Sequence, residues 1–121
     1  MKYYFSFDEL TYTDTGICNS IPIAETNPIL HNLVILRTVL NVIRGLIGRP
    51  IIINSAFRSR EVNDAVGGVP TSNHCLGRAA DISSPYGDDC DLYRICKQLF
   101  DQGVLSEFIY YPDKHFVHIS I

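Results

Sequence analysis

A single long helical pattern near the front of the chain limits the folds open to it. Ile29, Leu30, Leu33, Val34, Leu36, Val39, Leu40, Val42, Ile43, Leu46 and Ile47 recur at helical spacing. Asn27-Pro28 reads as the start. Asparagine caps, and proline suits a first turn whose N–H has no partner in any case. Gly48 ends the pattern and Pro50 prevents its return. The apolar stripe is wide, so this helix belongs at the centre of whatever is built around it. A chain of 121 residues has room for one such core, and 1–121 reads as a single domain.

The remainder is a loose mixture of short elements. Ile51-Ile52-Ile53-Asn54 is a β-branched run that reads as a buried strand. Ser59–Val66 reads as a short helix, broken by Gly67-Gly68-Val69-Pro70. Ala79-Ala80-Asp81-Ile82 reads as a second strand. Asp88-Asp89 cap a helix reaching about Gln102, with Leu92, Ile95, Cys96, Leu99 and Phe100 on one face. Phe108–Tyr111 and Phe116–Ile121 flank the turn Pro112-Asp113-Lys114 and so pair as a hairpin. Residues 1–25 read as an arm packed on the domain, led by Tyr3, Tyr4, Phe5 and Phe7, with one helical turn near Phe7–Leu10. The expected class is α+β, a small and mostly antiparallel sheet packed against helices.

Composition removes several functions. Hydrophobic residues at 46% and charged residues at 19% exclude an intrinsically disordered chain. Ten Lys+Arg against thirteen Asp+Glu leave a net charge of −3, which argues against a grip on nucleic-acid phosphates. No apolar run is read as approaching the ~20 residues of a bilayer span, so no membrane is expected. Asp8 and Glu9 stand where a signal peptide carries its apolar core, and the chain is expected to be cytoplasmic when made. Cys18, Cys75, Cys90 and Cys96 show no CxxC spacing and read as reduced thiols. A monomer is the default expectation.

His74 stands at the start of a loop, Asp81 on the strand after it and His118 in the last strand. Imidazole and carboxylate are good zinc ligands, and three protein ligands plus a water make the catalytic arrangement. Gly77 and the small Ala79-Ala80 let the backbone fold back closely between the first two. By spacing alone the alternative stays open: a core histidine, a loop aspartate and a strand histidine with no metal. Cys75 is not read as a fourth ligand, because a thiolate would close the site and remove the water position. His31 lies on the polar side of the long helix or at its start and is assigned no role. Tyr110 and Tyr111 alternate across their strand, so one faces the core and the other is free to line a cleft.

The pattern extends beyond those three residues. Ser55-Ala56-Phe57-Arg58, Val62-Asn63, Val66-Gly67-Gly68, Ser72-x-His74-x-x-Gly77-x-Ala79-x-Asp81 and the late His118 occur in this order. The set resembles the zinc murein peptidases, that is, D-alanyl-D-alanine carboxypeptidases and related phage endolysins. It is also similar to the wider superfamily that includes the zinc domain of hedgehog proteins. The resemblance covers about residues 25–121, and the opening resembles single-domain members from phages and prophages. It implies a hedgehog/D-Ala-D-Ala peptidase-like fold and Zn2+ held by His74, Asp81 and His118. It places Arg58 beside the metal, holding a substrate carboxylate or the carbonyl under attack, and Ser72 near the substrate. Asn63 and Gly67-Gly68 would shape the loop. The implied substrate is a peptidoglycan stem peptide, cut at D-Ala-D-Ala or another bond with a D-residue, and the protein would reach the wall once released.

One position departs from the pattern. Carboxypeptidase relatives place an acid three residues before the last zinc histidine, and here that position is His115. Positions three apart on a strand face opposite sides, so His115 reaches the metal only if the turn redirects it. The expected order of general bases is His115, then Asp113, then Glu107. The missing acid also supports a second reading, a zinc-bearing module that binds wall peptides without cleaving them.

Overall fold

The chain opens with one helical turn, α1 (Phe7–Leu10), in a computed structural model that describes residues 4–87 and 89–121. A capping box sets this turn: the Ser6 hydroxyl accepts from the Glu9 N–H, and the Glu9 carboxylate accepts from the Ser6 N–H. Phe5 and Leu10 are buried in the core. Arg37 lies 4.3 Å above the Phe7 ring and Arg44 lies 4.4 Å above the Tyr4 ring, so aromatics of the arm pack on the long helix. Tyr3, the first of the expected aromatics, lies outside the described residues.

The long helix is α2 (Thr26–Ile47), and a 3-10 turn, Ile23–Glu25, runs directly into it. Asn27 therefore sits inside the first turn and does not cap it. Ile29, Leu33, Leu36, Leu40, Ile43 and Ile47 form the buried stripe, while Leu30, Val34, Val42 and Leu46 stay exposed. This apolar character on several sides corrects one expectation. Over its most apolar 18-residue window α2 has a mean hydropathy of 1.4, enough by length and composition to cross a membrane. In this fold its stripe is the core, packed against the sheet and a second long helix.

The described residues form four strands, β1 (Ile52–Ser55), β2 (Ala79–Ser83), β3 (Glu107–Tyr111) and β4 (Phe116–Ser120), in the order β1-β2-β4-β3 and all antiparallel. The helices between them are α3 (Arg60–Ala65) and α4 (Asp89–Asp101). Asp88, expected to share the α4 cap, lies outside the described residues. β1 is not the buried strand its β-branched run suggested. It is an edge, and Ile52 is 45% exposed. The run specifies an extended backbone but not its neighbours.

Strand alternation divides the sheet into two faces. Ala80, Ile82, Val117 and Ile119 point into the core with α2 and α4. Tyr110 and Phe108 pack on Tyr93 of α4, each with ring centroids 5.3 Å apart. Asp81, His118, Glu107 and Tyr111 fall on the opposite face. The four cysteines form no disulfides, and burial pushes the Cys96 thiol up to about 12.

Candidate metal centre

The register of the two central strands brings the first pair together. Asp81 lies directly across from His118, so their side chains share a face as cross-strand neighbours. His74 arrives from a separate 3-10 turn, Asn73–Leu76. Ser72 caps that turn by accepting from the His74 N–H at 3.2 Å. Gly77 closes it in the left-handed region at φ 72, where a Cβ would stand 3.0 Å from the Ile29 carbonyl oxygen. The turn thus sits directly on α2, and a larger residue there is both strained and crowded.

His74 is buried, with Nδ1 2.7 Å from the Ala56 carbonyl oxygen. A carbonyl only accepts, so Nδ1 carries the hydrogen. Nε2 of the neutral ring then holds a lone pair, and it faces Asp81 Oδ1 at 3.3 Å. The same Oδ1 lies 2.9 Å from His118 Nδ1. His118 Nε2 lies 3.0 Å from Glu107 Oε1. One ligand atom from each of His74, Asp81 and His118 falls within 4.8 Å of the others. Donor atoms converging this closely repel unless protons or a cation stand among them. Two imidazoles and a carboxylate are a zinc donor set, and a histidine ring held from behind by a carbonyl is how such ligands are oriented. The residues fit the metal that the motif implies.

Burial disfavours a charge on Asp81, but the His118 hydrogen bond and the nearness of the His74 ring outweigh it and hold the carboxyl well below the usual range. Burial likewise disfavours charge on His118, and hydrogen bonds to Asp81 and Glu107 more than reverse it, raising its pKa. The His118 hydrogen bond, then that of Asn73, keeps Glu107 below its ordinary value.

Arg58 stands beside this trio, although its guanidinium is not free. Nε donates to Ser55 Oγ at 3.0 Å, Nη1 to Asn63 Oδ1 at 3.2 Å and Nη2 to Asp81 Oδ2 at 3.1 Å. Its first task is therefore to fix the aspartate. Asn63 is almost fully buried and also donates to the Val69 carbonyl at 2.8 Å, which ties the Gly67-Gly68 loop to Arg58. Asn19 of the arm, not singled out by the sequence, donates to the Phe57 carbonyl and accepts from the Ser59 N–H on either side of Arg58.

The trio opens into a cleft of about 320 Å³. Its walls include Arg58, Gly68, Ser72, Tyr111, Lys114 and Phe116. Tyr111 and Phe116 stack at 4.7 Å between centroids. A larger hollow of about 550 Å³ borders Tyr93 and Tyr110 and holds none of the trio, so size alone would misplace the site.

The three expected bases separate. His115 sits on the hairpin turn at φ 56, with its side chain 77% exposed and Nδ1 2.9 Å from Asp89 Oδ2. It turns toward α4 and does not line the cleft. Asp113 is exposed on the same turn and does not line it either. Glu107, ranked last by the sequence, is the one that touches the trio. Its signal was present in the hairpin register, which places Glu107, Ile109 and Tyr111 on the same face as His118.

The peptidase M15 family model matches residues 3–120. The match takes in the arm, beyond the span covered by the motif set. A search of curated proteins finds no match. With nearly the whole chain matched, and with a His-Asp-His group of the kind a zinc peptidase needs, the chain belongs to the peptidase M15 family of D-Ala-D-Ala carboxypeptidase-like zinc peptidases.

Proposed function

We propose that the protein is a zinc peptidase that hydrolyses a bond in peptidoglycan stem peptides, at D-Ala-D-Ala or at another bond with a D-residue. The observation that carries this reading is the convergence of His74 Nε2, Asp81 Oδ1 and His118 Nδ1 at an open cleft. In this reading the protein acts as a monomer on the cell wall after release from the cytoplasm, as a phage or prophage endolysin does.

His74, Asp81 and His118 would hold the metal. Bound there, zinc supplies a Lewis acid that polarises a carbonyl and lowers the pKa of a water towards 7. The chain's own residues do the rest. The Ala56 carbonyl fixes the tautomer of His74, and Arg58 holds Asp81 by its second oxygen. A guanidinium has five N–H donors, so Arg58 keeps two beyond its three anchors for a substrate oxygen. Lys114 stands at the cleft with its ammonium 6.0 Å from the Tyr111 ring centroid, and supplies a cation for a peptide carboxylate. The Tyr111–Phe116 stack offers an apolar wall for methyl-bearing residues.

His115 is bonded to Asp89 and does not serve as the proton acceptor in this arrangement. His115→Ala is expected to keep turnover within about threefold at matched zinc occupancy, whereas a loss beyond about tenfold, the range of a positioned acid or base, returns His115 to the site.

A second reading, the non-catalytic zinc-bearing module, is favoured by one observation. Among the described residues lining the cleft, Asp81 is the sole carboxylate. Digestion of purified peptidoglycan and soluble stem peptides, with zinc and with chelator, separates the two by mass spectrometry. A zinc-dependent fragment carrying one added water supports the peptidase, and its mass names the bond. Zinc-dependent binding without a fragment supports the module, and neither result from zinc-loaded protein overturns both.

A further inference from the structure

We infer that Glu107 is the positioning residue of this centre, a carboxylate that locks both histidine-bearing segments in place and does not take the reaction's proton. The inference rests on the zinc reading above. Glu107 enters from β3, which belongs to neither His74 nor Asp81 nor His118. Its Oε1 accepts from His118 Nε2 at 3.0 Å and from Asn73 Nδ2 at 3.0 Å. Asn73 is the residue immediately before His74 in the 3-10 turn. One oxygen therefore ties β4 to the turn that carries the other histidine.

The tautomer argument gives this tie its consequence. His118 presents Nδ1 to Asp81 and to the space shared with His74. For Nδ1 to offer a lone pair there, the ring hydrogen must sit on Nε2, and a carboxylate at 3.0 Å is the acceptor that keeps it there. Without that acceptor the ring is free to take the other tautomer or to rotate. Each member of the trio then has its own outer partner: Ala56 for His74, Arg58 for Asp81 and Glu107 for His118. Glu107 itself does not line the cleft, which separates this role from that of a base.

The test measures zinc affinity, by competition with a chromogenic chelator, beside turnover at saturating zinc in wild type, Glu107→Ala and Glu107→Gln. Outer-shell partners of metal ligands are worth about 10–100-fold in affinity, and Glu107→Ala is expected to lose that much. Glu107→Gln keeps an accepting oxygen, so it is expected to lose less than about tenfold in affinity and to hold turnover within about fivefold. A base shows the reverse pattern: Glu107→Gln leaves affinity unchanged and loses turnover by about a hundredfold or more. That pattern, or affinity within about twofold of wild type in Glu107→Ala, overturns the inference while leaving the zinc reading intact. Wild type that takes up no zinc overturns the zinc reading itself. If Glu107→Ala does not fold, the split in Glu107→Gln decides alone.

Discussion

His74→Ala is expected to lose stoichiometric zinc and peptidase activity together. The variant keeps two of the three donor side chains, and the one removed is the buried ring whose Nδ1 is fixed on Ala56. A buried Ala56 carbonyl then lacks its partner, which costs about 1–3 kcal/mol. Asp81 loses one of the two imidazoles whose nearness keeps its carboxyl ionised against burial. Turnover is expected to fall at least about a thousandfold, because the several kcal/mol of transition-state stabilisation that a catalytic metal supplies disappear with it. Two measurements check this. Metal analysis after dialysis is expected to show about one zinc per wild-type chain and none in the variant. Chelator is expected to lower the melting temperature of wild type and leave the variant unmoved, since a ligand stabilises only the state that binds it. A variant that retains zinc and a tenth or so of wild-type turnover sinks the assignment of His74.

Gly68→Ala is expected to be the most disruptive single methyl in the site loop. A Cβ at Gly68 would overlap the Asn63 side-chain amide. Asn63 cannot yield at low cost, because it is buried and bonded to both the Val69 carbonyl and Arg58 Nη1. Displacing it breaks two hydrogen bonds and frees Arg58 from one of its three anchors, with Asp81 at the far end of the chain of contacts. The expected cost is about 2–4 kcal/mol from overpacking and an unsatisfied buried amide. For a domain of this size that lowers the melting temperature by roughly 5–15 °C. Gly67→Ala is the control. Gly67 sits at φ 76 with open space where a Cβ would go, so its cost is conformational, about 1–2 kcal/mol, with little effect on turnover. A Gly68→Ala protein that melts within about 2 °C of wild type shows that the loop absorbs the methyl.

The residues that read most clearly were those whose signal is local. Helical spacing from Ile29 to Ile47 specifies α2, because its period is a property of the backbone itself. Two aromatic and β-branched runs around Pro112-Asp113-Lys114 specify a hairpin for the same reason. The ordered block from Ser72 to Asp81, with the late His118, named a set of three donors, and the fold brings one atom from each within 4.8 Å. Local signals failed where the outcome depended on a neighbour. Asn27 carries the chemistry of a cap, yet the preceding Ile23–Glu25 turn carries the helix past it. Ile52 read as interior, yet among the described residues no strand pairs on the far side of β1 and Ile52 is exposed.

The partners of the site are decided almost entirely at long range. Arg58 meets Asp81 across 23 residues of chain, and Asn73 meets Glu107 across 34. Nothing in the spacing of arginine and aspartate says that the guanidinium will be spent on the ligand before it meets a substrate. The same holds for the exchange of places between His115 and Glu107. The resemblance to the carboxypeptidases favoured His115, three residues before His118, but a strand turns such a neighbour to the opposite side and the left-handed turn sends it on to Asp89. Glu107 is eleven residues away along the chain and 3.0 Å away in space, because antiparallel pairing folds β3 back along β4. Periodicity and motif thus specified the elements and the donors, since both are written in the order of residues. Tertiary structure alone decided which side chains hold those donors, since that depends on sheet order, register and the direction of one turn.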